Sequence, residues 1–306
     1  MTNETPIDLS VVVPVFNSEN GLRDLYGALK ENFPQHQVEF IFVDDSSVDG
    51  SWSVLQEIKT KDERVKIFRL AKNFGQHAAT LCGFAESSGK WVLTLDDDME
   101  VLPQEASKLL AHASDNFDLI YGEFQAEEPL KRRVMKAIYR KLSKWEGPNK
   151  GRGSSFRLIR GNLARTVAER HHHFVFIDEF LLWYTDKVQF VQVNNNPSPL
   201  RKSRYATRNL VVTTSKLMMY STAIPLKLVT RFGFSLAFVN LLVGLWFLRK
   251  YLIDKIDVKG YTSLIISVLF STGVILFCLG IMAQYLRNVL MNLNNAPSYY
   301  VKDKSC

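Results

Sequence analysis

Three apolar runs in the first hundred residues each end in polar or acidic side chains. The runs begin at Leu9, Glu39 and Trp91, and they read LSVVVPV, EFIFV and WVLTL. An apolar run of this length that stops at polar residues is typical of a buried strand. Stretches with a helical pattern, 21–32 and 51–61, follow the first and second runs. The pattern therefore predicts strands alternating with helices.

Alternation of strands and helices predicts an α/β fold with a parallel sheet. In such sheets ligands bind outside the carboxyl ends of the strands, so the polar groups that end the three runs are expected to meet there. No GxGxxG follows the first strand, and the chain contains no GxxxxGK[ST]. These absences argue against a nicotinamide enzyme and against a P-loop ATPase.

The third run ends in three consecutive carboxylates, Asp96, Asp97 and Asp98. Carboxylates this close repel one another, and a hard divalent cation such as Mg²⁺ or Mn²⁺ would neutralise them. A cation held in this way commonly also binds substrate phosphates. The alternative is an acidic loop that caps the helix after it.

Four motifs occur in order along the chain. They read VPVFNSEN, FVDDSSVDGS, LAKNFGQHAATLCGFAESSGKWVLTLDDDMEVLP and SSFRLIR. In this order they resemble the family-2 glycosyltransferases of GT-A fold. The closest likeness is to the branch that loads sugars onto polyprenyl phosphates, such as dolichyl-phosphate mannose synthase and bacterial undecaprenyl-phosphate glucosyl and aminoarabinosyl transferases. The resemblance covers nearly the whole chain.

The resemblance implies a site for the diphosphate of a nucleotide-sugar donor. Asp96 and Asp98 match the DxD pair that holds Mg²⁺ or Mn²⁺, and Glu100 stands where a further metal ligand would lie. Asp97 replaces the usual alanine of the family and is expected to face the ribose or sugar, or else solvent. The nucleotide pocket would be formed by Pro14, Phe16, Asn17, Asp44 and Asp45. The family commonly has glutamate where this chain has Ser18.

An acceptor phosphate requires cationic side chains near the membrane. The resemblance assigns this role to five arginines: Arg132, Arg133, Arg157, Arg201 and Arg204. Arg132 and Arg133 are also predicted to take part in catalysis. For these two residues, a solvated basic helix over 131–144 is the alternative. Ser155 stands where many relatives have an aspartate proposed as a base. Because a phosphate is already ionised near neutral pH, direct attack with inversion needs no base.

The second half of the chain predicts membrane segments. Residues 232–248 and 260–286 carry no charge, and each run is near the roughly 20 residues that span a bilayer. We therefore expect a cytoplasmic GT-A catalytic domain (1–205), membrane-proximal amphipathic helices (206–231), transmembrane helices at 232–252 and 260–286, and a cytoplasmic tail (287–306). Two buried core helices are the alternative. Basic residues crowd the segment before the first run, which favours the cytoplasmic side.

Composition adds few constraints. The chain has 306 residues and a net charge of +7. Three scattered cysteines without a CxxC motif indicate reduced thiols rather than a disulfide framework. The N-terminus lacks a secretory signal. We expect a multi-pass protein of the inner (cytoplasmic) membrane, with a nucleotide sugar, a polyprenyl phosphate and the membrane as partners and no nucleic acid. A homo-oligomer, for example a tetramer, is also expected.

Two other classes compete with this interpretation. A processive polysaccharide synthase would be expected to carry QxxRW, which the chain lacks. A membrane-anchored partner that binds a nucleotide sugar without catalysis would tolerate the Ser18 and Ser155 departures, whereas the intact Asp96 and Asp98 favour an enzyme. A glycosyltransferase with a different acceptor is a further alternative. Neither the sugar nor the nucleotide follows from the sequence.

Overall fold

The computed structural model describes residues 7–33, 37–124, 153–169, 177–194, 230–233, 261–293 and 297–306, with single positions between 235 and 253. The chain divides into two compact units. The first contains Met1–Ala206 and Asn295–Cys306, and the second contains Thr207–Asn294. The C-terminal residues therefore belong to the same unit as the N-terminal half.

The first unit is built on one mixed sheet of eight strands in the order β7-β5-β6-β4-β1-β2-β3-β8. The strands are β1 (Leu9–Val15), β2 (Val38–Asp44), β3 (Val65–Leu70), β4 (Trp91–Thr94), β5 (Leu119–Phe124), β6 (Arg157–Arg160), β7 (Val188–Val193) and β8 (Val301–Ser305). The four central strands β4, β1, β2 and β3 are parallel. Strands β6 and β8 are antiparallel to their neighbours.

Helices cover both faces of this sheet. They are α1 (Leu22–Asn32), α2 (Ser51–Lys61), α3 (Gln76–Ala85), α4 (Ala106–Leu110), α5 (Gly161–Glu169) and α6 (Ile177–Tyr184), with a 3₁₀ turn at Pro103–Glu105. Side chains alternate along β1, so Val11 and Val13 pack with α1 and α2, whereas Val12 packs with α3, α5 and α6. Strands with apolar residues on both faces need two covering layers, and this explains the uninterrupted apolar runs in the sequence.

The direction of strand succession reverses beside β1. The chain passes from β1 to β2 to β3 on one side, and β4 then pairs with the opposite side of β1, from Leu9 opposite Trp91 to Val12 opposite Thr94. Because the connections after β1 and β4 leave in opposite directions, a crevice opens between the carboxyl ends of these strands. The fold therefore places the segments after Val15 and Thr94 on either side of one crevice.

Most elements predicted from the pattern are confirmed. The predicted helices at 21–32 and 51–61 are α1 and α2, and the three apolar runs are β1, β2 and β4. The α/β class is correct, and the predicted parallel arrangement holds for the four central strands. The predictions did not include β8, which the sequence analysis treated as part of a tail. Its exposed sequence VKDKS has no apolar run, and it pairs with β3 from more than two hundred residues away.

The second unit contains α7 (Tyr261–Leu293), and every described position between Thr230 and Ile253 is helical. Within the described ranges, no helix combines the length and the apolar character needed to cross a membrane. The amphipathic segment predicted at 206–231 lies almost entirely outside the described residues.

Replacing Gly83 by alanine is expected to destabilise the first unit by about 1–3 kcal/mol, because a methyl group cannot be accommodated there without strain. A Cβ atom at Gly83 on α3 would lie 2.2 Å from Cγ1 of the fully buried Val12. Gly27 on α1 has nothing within 4 Å of such an atom, so Gly27→Ala is the matched control and should stabilise by up to about 1 kcal/mol. Chemical denaturation of both variants measures the difference. Equal effects would contradict the close packing of α3 on β1.

Candidate active site

The segments at the carboxyl ends of the four parallel strands share an unusual backbone conformation. Asn17, Ser46 and Met99 have φ angles of 53°, 59° and 54°, and Gly75 has a φ angle of 96°. These residues follow β1, β2, β4 and β3 respectively. Left-handed backbone in residues other than glycine is uncommon, costs about 1–3 kcal/mol each and concentrates at functional sites. The strain therefore points to this edge of the sheet as the candidate site.

Asp97 joins the segment after β4 to the segment after β1. Its Oδ2 atom accepts a hydrogen bond from the Phe16 amide at 3.0 Å and another from the Ser18 hydroxyl. Asp97 and Ser18 are partly buried, whereas the Phe16 ring is 45% exposed. The carboxylate thus bridges the crevice at which strand succession reverses.

Asn17 joins the segment after β1 to the segment after β2. Its amide nitrogen donates to Oγ of Ser47 at 3.0 Å, and its Oδ1 accepts from the amide of Val48 at 3.0 Å. Asp44, at the end of β2, is fully buried, accepts from the Ser47 amide at 3.1 Å and pairs with Nε of Arg69 at 3.2 Å. Asp44 therefore holds the turn after β2, and its place at the nucleotide stays a prediction.

Asp45 joins the segment after β2 to the segment after β3. Its two oxygens accept from the amides of Phe74 and Gly75 at 2.7 and 2.8 Å. These amides precede the first turn of α3, where the helix dipole favours negative charge. Burial raises the pKa of Asp45, the two amides lower it, and the neighbouring Asp44 raises it. Side chains thus tie together all four strand ends, in the spatial order β4, β1, β2, β3.

Replacing Asp45 by alanine is expected to weaken nucleotide binding about tenfold or more, because Asp45 holds the segment after β3 with two charge-assisted hydrogen bonds. Asp45→Asn retains one acceptor oxygen and should give a smaller loss. The measurement is titration of UDP and GDP against the full chain, with Glu57→Gln on the exposed outer face of α2 as the control. Unchanged affinity in Asp45→Ala would show that this link does not support the nucleotide site.

Asp96 lies at the centre of the polar contacts after β4. Its Oδ1 accepts from Nε2 of Gln76 at 2.5 Å, and its Oδ2 accepts from Oγ of Ser155 at 2.7 Å. Burial raises the pKa of Asp96 to about 6, with the Ser155 hydrogen bond lowering it and the charges of Asp98 and Asp97 raising it further. A carboxylate in such surroundings gains from a cationic ligand.

The predicted metal ligands are only partly brought together. Asp98 is partly buried and accepts from the amide of Glu100 at 3.1 Å, while the Glu100 side chain is exposed. Within the ranges that the structure describes, no three His, Cys, Asp or Glu side chains are grouped closely enough to hold a metal ion. Asp96, Asp98 and Glu100 therefore do not form a three-ligand group here, and Glu100 as a ligand stays a prediction.

Arg157, predicted to bind the acceptor phosphate, is buried beneath this site. Its side chain is 3% exposed and its Nη1 forms an ion pair with Oδ1 of Asp178. The hydroxyl of Tyr121 donates to the same oxygen at 2.9 Å. Burial and the positive charge of Arg157 lower the pKa of nearby His77 to about 4. The structure gives Arg157 an internal partner, and its contact with a phosphate stays a prediction.

The remaining predicted residues divide into two groups. Pro14 lies inside β1, buried opposite Val43, rather than in a segment beyond the strand. Four predicted acceptor residues lie outside the described residues: Arg132, Arg133, Arg201 and Arg204. The prediction missed Gln76 and Ser47. Ser47 lies between β2 and α2, and Gln76 is the first residue of α3. In this class of fold, polar side chains reach a ligand from such positions after the strand ends.

The fold and the site define a protein of the α/β class with an acidic crevice at the carboxyl ends of its parallel strands. The glycosyl transferase family 2 profile matches residues 10–183. The chain therefore belongs to glycosyl transferase family 2 and is a glycosyltransferase.

Two relatives match almost end to end. The SfII prophage-derived bactoprenol glucosyl transferase of Shigella flexneri is 27% identical, over 96% of this chain and 97% of that protein. The undecaprenyl-phosphate 4-deoxy-4-formamido-L-arabinose transferase of Shewanella sediminis is 25% identical, over 96% of this chain and 92% of that protein. Among solved structures, the Mycobacterium tuberculosis glucosyl-3-phosphoglycerate synthase with uridine diphosphate has a TM-score of 0.47 and 16% identity, over 69% of this chain and 79% of that chain.

Proposed function

We propose that this protein transfers a sugar from a nucleotide-sugar donor to a polyprenyl phosphate, with inversion, at the cytoplasmic face of the inner membrane. The observation that carries the proposal is the match along 96% of this chain to transferases whose names specify bactoprenol or undecaprenyl phosphate as acceptor. The product would be a lipid-linked sugar for modification of cell-envelope glycans.

The residues after β4 fit a divalent cation of the Mg²⁺ or Mn²⁺ type. Such ions are commonly held by one or two carboxylates together with substrate phosphates, so a protein site with three ligands is not required. Asp96 and Asp98 supply hard oxygen atoms. Burial raises the pKa of Asp96, and the charges of Asp98 and Asp97 raise it further, so a cation bound there would offset this repulsion. A cation held there would neutralise the diphosphate as it leaves.

The acceptor needs no general base from the protein. A phosphate oxygen of the lipid attacks the anomeric carbon, the bond from that carbon to the diphosphate breaks, and the diphosphate leaves with the electron pair. An ionised phosphate loses no proton in this step. Ser155 stands where relatives commonly have the aspartate proposed as a base, and its hydroxyl donates to Asp96. Its proposed role is therefore to orient Asp96, and catalysis rests on positioning and electrostatics.

The membrane part of the proposal rests mainly on the two uncharged runs of the sequence. In the second unit, apolar side chains of α7 are also exposed, among them Ile275, Leu276 and Phe277. The chain leaves the first unit at Ala206 and returns to it at Asn295, and β8 joins the sheet of β1. Any crossings between these points therefore come in an even number. We propose two membrane crossings. We also propose that the protein forms a homo-oligomer, such as a tetramer.

A transfer assay tests this function. The full chain in membranes is incubated with undecaprenyl phosphate, Mn²⁺ or Mg²⁺ and a panel of radiolabelled nucleotide sugars, followed by organic extraction. We expect label from one donor to enter the lipid phase and to be lost with EDTA. Nucleotide binding without lipid label from any donor would instead support a non-catalytic binding partner, and label in a water-soluble product would support a different acceptor.

A further inference from the structure

The Asp97 carboxylate fixes the position of the segment after β1 relative to the segment after β4. It lies between Asp96 and Asp98 in sequence, yet its hydrogen-bond donors, the Phe16 amide and the Ser18 hydroxyl, belong to the other side of the crevice. These donors flank Asn17, the residue with the left-handed backbone conformation. One carboxylate thus restrains a strained turn on both sides.

The same turn carries the groups that face a nucleotide. The exposed ring of Phe16 lies on one side of Asn17, and Asn17 itself is bonded to Ser47 and Val48 after β2. Loss of the Asp97 contact would remove a link between this turn and the segment after β4, while the bonds to Ser47 and Val48 on the β2 side remain. The distance between the nucleoside site and the carboxylates that face the diphosphate would then no longer be set.

Ser18 follows β1 and Asp97 follows β4, so these two residues belong to opposite sides of the crevice. The structure shows that these two side chains are hydrogen-bonded to each other. A single carboxylate is thus present at this contact, and in this chain it comes from the segment after β4.

We infer that Asp97 is a positioning residue for the nucleotide-sugar donor, and that Ser18 and Asp97 form a coupled pair in which one carboxylate joins the two sides of the crevice. This inference rests on the proposed function. Asp97 acts through the Phe16–Ser18 turn and contributes to binding of the donor, while the acceptor lipid is bound independently of it.

Four variants of the full chain test the inference: Asp97→Ala, Asp97→Asn, Ser18→Glu and the double variant Ser18→Glu/Asp97→Ala. Asp97→Ala should raise the KM for the donor about tenfold and leave the KM for the polyprenyl phosphate unchanged, because hydrogen bonds to a charged group are lost only on the donor side. Asp97→Asn keeps an acceptor oxygen and should lie between Asp97→Ala and the parent chain.

The double variant separates positioning from a merely structural role. Ser18→Glu places two carboxylates together and should weaken donor binding by like-charge repulsion. Removing Asp97 in the same chain should bring the donor KM back to within about threefold of the parent value, which is the signature of coupling in a double-mutant cycle. If the two effects multiply instead of cancelling, the inference of a coupled pair is wrong.

Two measurements independent of sugar transfer keep this test distinct from the test of the proposed function. Hydrogen exchange of residues 15–19 should be faster in Asp97→Ala, because the Phe16 amide loses its acceptor. Binding of UDP or GDP should weaken in parallel. These results would support positioning even if no sugar reached a lipid. Unchanged exchange and unchanged nucleotide affinity in Asp97→Ala would overturn the inference, as would a loss of thermal stability that accounts for the whole effect.

Discussion

Asp98→Asn is expected to lower kcat for sugar transfer by about 10²–10³-fold, which is the usual cost of removing one group that stabilises charge in the transition state. Asparagine keeps the oxygen that accepts the Glu100 amide, so the local turn should persist while the negative charge is lost. The fold should be unaffected, because Asp98 is only partly buried and lies outside both core clusters. Initial rates at saturating donor and lipid measure the change.

The variant should also need more metal. With one carboxylate remaining, half-maximal activity is expected at a higher Mn²⁺ concentration than in the parent chain. Glu57→Gln provides a control, since it removes an exposed carboxylate on α2 from an ion-pair network remote from the strand ends. Activity of Asp98→Asn within threefold of the parent chain, at the same metal concentration, would rule out the proposed role of this aspartate.

Asp178→Ala is expected to destabilise the first unit by about 3 kcal/mol, since it leaves the buried guanidinium of Arg157 without its ion-pair partner. The Arg157 side chain is only 3% exposed, but that of Asp178 is 23% exposed. The expected loss in the free energy of unfolding is therefore at the low end of the range for buried pairs. The Tyr121 hydroxyl would lose its acceptor in the same change. Denaturant unfolding of the full chain in detergent, monitored by tryptophan fluorescence, measures the loss.

Two control variants define what this loss means. Tyr121→Phe removes one hydrogen bond to Asp178 and should cost about 1 kcal/mol. Asp115→Ala breaks the pair with Arg160, in which the Asp115 side chain is 95% exposed, and should leave the stability unchanged. If Asp178→Ala behaves like Asp115→Ala, the Arg157–Asp178 pair contributes nothing to folding, and Arg157 is then more readily available to an acceptor phosphate.

The sequence was informative about the central sheet because each buried strand is a continuous apolar run. Strands β1, β2 and β4 could be found in this way, together with α1 and α2 between them. Strand β8 could not be found, because an exposed edge strand has no apolar pattern and its pairing with β3 depends on contacts far apart in the sequence. Local signals of this kind carry no information about distant pairing.

The candidate site shows the same division. The residue types at the strand ends and the four ordered motifs were enough to predict an acidic donor site and its family. The hydrogen-bond partners of the side chains could not be predicted. Asp45, Asp97 and Arg157 contact residues that are 29, 81 and 21 positions away along the chain. For Arg157 in particular, the ion pair with Asp178 was not predicted, and its contact with a phosphate stays a prediction.

The sequence by itself thus determined which strands are buried, which polar groups end them and which family the motifs resemble, because these properties depend on neighbours along the chain. Only the tertiary structure decided that Asp97 crosses the crevice to Phe16 and Ser18, that Asp45 holds the amides before α3, and that the C-terminus returns to the sheet as β8. The Asp97 contact depends on the reversal of strand succession at β1, which places β4 beside β1. The other two contacts depend on the pairing of β3 with β2 and with β8, which no local pattern predicts.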